Sequence, residues 1–190
     1  MPRHDNKKAQ GAIALLKGQH EVVKELFKQF EKAEGRKRKE LADEAIHDLK
    51  VHAAIEEELF YPALRKAMED DGGVMDEADE EHHVAKVLIA ELEMMDGKED
   101  NFEAKFRVLA ENVRHHIREE EGQMFPKAAK TRVDFVALGE RMRERAESLL
   151  IEGFPEGVEV EMVHKTGLPE ASPAKLAEAT IEVPMLSGRR

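Results

Sequence analysis

The sequence predicts an all-α protein: an up-down-up-down four-helix bundle followed by a fifth C-terminal helix and an irregular tail. Three observations carry this. Apolar residues recur at alternating three- and four-residue steps through four long segments, as in helices that each bury one stripe. The breaks between segments are only a few residues long, which makes successive helices antiparallel neighbours. Charged residues make up 37% of the chain, against ~25% in an average globular domain, as long helices with solvated outer faces require.

The first helix is expected at about 9–32, with Ile13, Leu16, His20, Val23, Phe27 and Phe30 on its stripe. The second, about 37–68, carries Leu41, Ala45, Asp48, His52, Ile55 with Glu56, and Leu59. Asp70, Asp71, Gly72 and Gly73 then break the pattern as an acidic glycine-rich turn does. The third, about 74–96, carries Met75, Ala78, His82, Ala85, Ile89 and Leu92, and Gly97 stops it. The fourth, about 100–128, carries Phe102, Phe106, Leu109, Val113, His116 and Glu120. A fifth amphipathic helix, about 131–151, sets Phe135, Leu138, Met142 and Leu149 on one side and Arg141, Arg143 and Arg145 elsewhere, to pack outside the bundle or against another copy. Beyond Gly153, four prolines (Pro155, Pro169, Pro173 and Pro184) exclude one long helix, and Val158, Val160, Met162 and Ile181 to Val183 read as small strands or an extended tail. The 190 residues thus divide into a bundle at 1–130, an accessory helix at 131–151 and a tail at 152–190.

Composition narrows the chemistry. Net charge is −11, which repels nucleic-acid backbones and anionic membrane surfaces. The basic run Arg36 to Lys39 is short and reads as solvated surface. With no cysteine, disulfides, thiolate metal sites, iron–sulfur clusters and cysteine nucleophiles all fall away, so any metal must be held by imidazole and carboxylate. No apolar run approaches the ~18 residues of a membrane span, and Met1 to Gly11 is too polar for a signal peptide, which gives a cytoplasmic location as the expectation.

Each bundle helix places one histidine on its buried stripe: His20, His52, His82 and His116. Two of these have a glutamate four residues on, His52 with Glu56 and His116 with Glu120, a spacing that stacks both side chains on one helix face. An unpaired carboxylate in a bundle core costs several kcal/mol or protonates. A cation on the bundle axis supplies the missing partner. A single histidine on an apolar stripe is more often a hydrogen-bonded core residue than a ligand, but four helices in four, with two glutamates beside them, argue otherwise. His47, His83 and His115 fall beside their stripes and His4 and His164 lie outside the bundle, so they serve as controls.

At about 1.5 Å of rise per residue, His20 and His52 lie roughly 20 and 22 Å from the first loop, and His82 and His116 roughly 22 and 24 Å from the third. Around the second loop the levels disagree: His52 lies roughly 27 Å before it and His82 about 14 Å after, a difference for helix tilt or an early stop after Pro62 to absorb. The half-sites also repeat. His52-Ala-Ala-Ile-Glu56 runs on to Leu59-Phe60-Tyr61-Pro62, and His116-Ile-Arg-Glu-Glu120 to Gln123-Met124-Phe125-Pro126, each proline ten residues after its histidine. The register selects His116 over His115 and Glu120 over Glu119.

With these residues the chain resembles the hemerythrin-like family of HHE cation-binding domains, through Leu15-Leu16-Lys17-Gly18-Gln19-His20, His52 to Pro62, Glu81-His82-His83 and His116 to Pro126. The resemblance covers most of residues 10 to 128 and none of the tail. It implies two non-haem irons with His20, His52, His82 and His116 as terminal ligands, Glu56 and Glu120 as bridges, and reversible binding of dioxygen or a related small molecule. Manganese stands second to iron, and zinc with so many ligands would be unusual. One departure follows. Oxygen-carrying members have two histidines four apart on the third helix, whereas Ala78 and Lys86 stand four from His82 here, leaving His83, Glu81 or a water to complete the set.

The leading function is therefore a non-enzymatic di-iron module that binds or senses dioxygen, nitric oxide or peroxide. The alternatives are a di-iron oxidase or peroxidase or an iron-handling protein, and a purely structural bundle. Glu44 with His47 and Glu80 with His83 have the ferritin-like spacing of three, but they flank the stripes. No glycine-flanked serine motif and no phosphate-cradling loop is present. A homo-oligomer is left open.

Overall fold

The computed structural model describes residues 11–68 and 73–154, all in helices and short connections, with no strand among them. The expected strands and the rest of the tail lie outside the described residues. In chain order the helices are α1 (Ala12–Lys32), α2 (Gly35–Ile55), α3 (Tyr61–Ala67), α4 (Val74–Glu93), α5 (Phe102–Glu119), α6 (Phe125–Ala128) and α7 (Phe135–Glu152). The chain runs from α2 to α3 through one π-helical turn, Glu56–Phe60, and from α5 to α6 through another, Glu120–Met124. These two composite rods, with α1 and α4, are the four staves of the bundle.

The π turns were not expected. The sequence predicts unbroken helices over 37–68 and 100–128, but a helix-interior proline clashes with the carbonyl four residues earlier and donates no hydrogen bond. Each π turn begins at a glutamate and widens the backbone, so that Tyr61 N–H donates to the Glu56 carbonyl and Phe125 N–H to the Glu120 carbonyl. Pro62 and Pro126 then fall in the first turn of a new α segment, where proline is best tolerated. The mid-helix prolines are thus accommodated by paired distortions that start at Glu56 and Glu120, and the helix runs past Pro62 to Ala67 without the early stop.

α1 packs along α2 and α4 along α5, while α1 also meets α5 and α2 meets α4. Gly97, whose φ of 86° suits glycine, lets the α4–α5 connection lie on α2; a Cβ there would stand 3.1 Å from Lys39 Cβ. α7 packs on α1 and α2 through Leu138, Met142 and Leu149. It starts at Phe135, later than expected, because Asp134 caps it by accepting from the Val136 and Ala137 amides.

Two apolar clusters fill the interior. One gathers Leu16, Val51, Ile55, Phe60, Leu64, Met75, Met124 and Met142; the other gathers Val23, Phe27, Phe30, Leu49, Ile89, Phe106, Leu109 and Ile117. Fully burying one such side chain contributes about 1.5–3 kcal/mol, so these clusters stabilise the bundle above and below a single level. At that level, between Leu16 and Val23 on α1 and between Ile117 and Met124 on the fourth stave, the interior is polar.

Candidate metal centre

The polar layer consists of His20, His52, Glu56, His82, His116 and Glu120, the six residues singled out from the sequence. All six are at most 6% exposed, so bulk solvent does not solvate them. Their donor atoms form two groups that share Glu56: His20, His52, Glu56 and Glu120, and then Glu56, His82 and His116. Within each group the atoms lie within 4.8 Å of one another.

Every imidazole points its Nε2 inward. His20 Nε2 is 3.1 Å from Glu120 Oε2, His52 Nε2 3.2 Å from Glu56 Oε2, and His82 Nε2 3.4 Å from the same Glu56 oxygen. His116 Nε2 is 3.5 Å from Glu120 Oε2 and 3.1 Å from His82 Nε2. Despite this crowding, His20 Nε2, His52 Nε2, Glu56 Oε1 and Glu120 Oε2 have no hydrogen-bond partner. The His20–Glu120 contact is close enough for their charges to interact yet lacks hydrogen-bond alignment. Four orphaned polar atoms at one buried level are costly unless something else occupies the space between them.

The outer nitrogens are tied down. Each Nδ1–H donates to an acceptor: His20 to Glu121 Oε1 at 2.9 Å, His52 to Gln19 Oε1 at 2.9 Å, His82 to Glu57 Oε1 at 2.8 Å and His116 to Glu81 Oε2 at 2.8 Å. These acceptors fix the tautomer that leaves Nε2 with a lone pair facing inward, the orientation a metal-ligating imidazole needs. Three of them are carboxylates braced in turn by Lys24, Lys86 and His115.

Left to themselves, the buried charges oppose one another. Desolvation, together with the neighbouring Glu120 carboxylate, pushes the Glu56 carboxyl well above the usual range. Desolvation acts on Glu120 in the same sense, but the His20, His116 and His52 imidazoles overcome it and hold that carboxyl at about 2. The opposition between the two favours the protonated form of Glu56. Burial lowers His52 well below the ordinary histidine value, with His20 adding to the shift. Burial also disfavours charged His20, yet Glu120 and Glu56 prevail and raise it. A cation between the groups would replace that proton and relieve both carboxylates.

One residue at the layer was missed in the sequence. Tyr61, buried at the start of α3, brings its hydroxyl 3.3 Å from His82 Nε2, and donates to Glu120 Oε1 at 3.2 Å or to Glu56 Oε2 at 3.5 Å. Desolvation and the two carboxylates raise its pKa well above 10. It stands on the His82 side, where the third helix offers no second histidine. Glu81 instead backs His116, and His83 is in neither donor group. The signal was present in the repeat, since Tyr61 occupies the place of Phe125, and a hydroxyl carried into a core needs a partner.

Fold and site together define a helical protein with a buried histidine–carboxylate cluster suited to a cation. Residues 11–128 match the family of Hemerythrin HHE cation binding domains, and the chain belongs to that family. Among solved structures it is similar to a hemerythrin HHE cation binding domain-containing protein of Mycobacterium kansasii, at 25% identity and a TM-score of 0.64, over 80% of this chain and 98% of that one. No curated protein matches it. No helix among the described residues is long and apolar enough to cross a membrane.

Proposed function

We propose that this chain is a non-haem di-iron protein whose buried layer binds two ions and presents them to dioxygen or a related small molecule, nitric oxide or peroxide, for binding or sensing. The observation that carries the reading is the opposed orientation of the four imidazoles: all Nε2 atoms converge on two carboxylates, while all Nδ1 atoms are held from outside. His20 and His52 would hold one ion, His82 and His116 the other, with Glu56 and Glu120 bridging. Tyr61 would complete the second set as a phenolate in place of the absent histidine. The mixture of imidazole, carboxylate and phenol favours iron over manganese and zinc.

Two irons held by these residues would supply electrons to a bound oxidant. The protein residues do the rest. The two apolar clusters exclude bulk water from the layer, so that charges act at low dielectric. The outer acceptors hold the rings in place. Tyr61 keeps its proton while the site lacks a cation and releases it when a nearby cation lowers the cost of the phenolate.

A second reading, a peroxide-consuming or other di-iron oxidase, draws on the same hydroxyl, because a buried phenol within hydrogen-bond reach of both carboxylates can give up a proton and an electron together. Absorption spectra with metal analysis, taken anaerobically and then in air, test the primary reading. It expects two irons per chain and an oxygen-dependent band that disappears on deoxygenation with no product formed. Steady turnover of peroxide by the loaded protein would favour the second reading. Protein from iron-replete cells that carried no metal, and whose melting temperature ignored added iron, would reduce the layer to a structural one.

A further inference from the structure

The centre has an internal twofold repeat. The α1 residues Gln19, His20 and Lys24 recur as Glu81, His82 and Lys86 on α4, 62 positions on; His52, Glu56, Glu57 and Tyr61 recur as His116, Glu120, Glu121 and Phe125, 64 positions on. The contacts repeat with them. Glu57 links His82 to Lys86 as Glu121 links His20 to Lys24. Glu81 backs His116 from the position just before His82, as Gln19 backs His52 from the position just before His20.

At that last correspondence the repeat breaks, since an amide stands where its counterpart is a carboxylate. A charge-assisted hydrogen bond is roughly twice as strong as a neutral one, and a carboxylate behind an imidazole makes the inward nitrogen a better donor to a metal. Glu81 is also braced by His115 Nε2 at 3.2 Å. Gln19 instead lines a cavity of about 420 Å³ between α1, α2 and α7, with Leu15, Val51 and Ala146. His52 is therefore the one imidazole of the four backed by a neutral acceptor, and that acceptor lines an open cavity.

We propose that Gln19 is a positioning residue that makes the His20/His52 position the weaker of the two, so that it gives up its ion first. This rests on the two-metal reading above. A contribution of Tyr61 to the stronger position acts in the same direction, so variants at Gln19 and Glu81 must separate the two effects.

The test is anaerobic transfer of ferrous iron from the loaded full-length protein to a chromogenic ferrous chelator, with total iron measured beforehand. Wild type should release one ion quickly and one slowly. Gln19→Glu should slow the fast phase by about tenfold or more and leave the slow phase alone. Glu81→Gln should accelerate the slow phase instead, and it carries the test if Gln19→Glu fails to fold. Gln19→Ala should accelerate the fast phase further. If Gln19→Glu releases iron as wild type does while Gln19→Ala is faster, the amide only props the ring and the proposal fails. It fails equally if wild type releases both ions in one phase or if Gln19→Glu shifts both phases together. Wild-type protein that starts with no bound iron overturns the two-metal reading itself, an outcome distinct from two bound irons that leave alike.

Discussion

The two half-sites, His52 to Pro62 and His116 to Pro126, are the same device built twice and finished differently. Both run histidine, four-residue step, glutamate, π turn, aromatic residue and proline. The aromatic residues occupy equivalent places: Phe125 stacks on His20 with rings 5.9 Å apart and 6° from parallel, and Tyr61 lies against His82 at 5.5 Å. A single hydroxyl separates them, and it points into the layer. The shared parts fix where charges sit, which is an architectural matter set by helix period and π turns. The unshared parts, Tyr61 against Phe125 and Glu81 against Gln19, decide how the two positions differ chemically.

Removing what the halves share should have the largest effect. Glu56→Ala or Glu120→Ala is expected to abolish the two-metal stoichiometry, measured by elemental analysis against protein concentration; two metals retained in both variants would refute the bridging roles. Next comes what distinguishes them. Tyr61→Phe should eliminate any visible phenolate-to-iron(III) band in the oxidised protein while leaving iron bound. A band that survives Tyr61→Phe would remove the tyrosine from the coordination sphere.

The metal-free protein gives a smaller effect with a definite sign. Glu56 and His20 both have folded-state pKa values raised above their ordinary ones. Each therefore contributes stability fully present below its unfolded value, 4.5 for the carboxyl and 6.5 for the imidazole, and loses it as pH rises through the folded value. His52 shifts the other way, but above pH 6.5 it is neutral in both states and drops out. The melting temperature of the metal-free protein should thus fall as pH rises from 6.5, and Glu56→Gln should flatten that fall. Iron-loaded protein should lack it. A metal-free melting temperature that rises over the same range would contradict the assignment of the buried proton.

The smallest effect is expected at His115, which is half exposed and meets the layer only through Glu81. His115→Ala should keep both metals and change stability by less than about 0.5 kcal/mol, the range for surface substitutions.

The helices, the bundle order and the grouping of the six buried polar side chains were legible because they depend on spacing alone. His20, His52, His82 and His116 stand where apolar residues belong, and a stripe that accepts a histidine in every helix declares a common level. The π turns were not legible from spacing, since apolar period alone does not distinguish one widened turn from a continuous helix, although Pro62 and Pro126 at matching places were a sign of it. The outer acceptors were hidden for a different reason. Glu57, Glu81 and Glu121 sit beside the stripes among many other glutamates, and only the rotation of neighbouring helices turns them toward an imidazole instead of water. Tyr61 was passed over as one member of a Phe-Tyr-Pro run, when its hydroxyl was what set it apart from Phe125.

The central claim is that the four inward nitrogens and two carboxylates surround two ions at one level of the bundle. Anomalous diffraction at the iron edge from crystals of iron-loaded protein tests it most directly. Two peaks are expected, one beside His20 and His52 and one beside His82, His116 and Tyr61, with Glu56 and Glu120 between them. Loaded crystals with no peak in that layer, or with iron bound only at surface carboxylates, would contradict it.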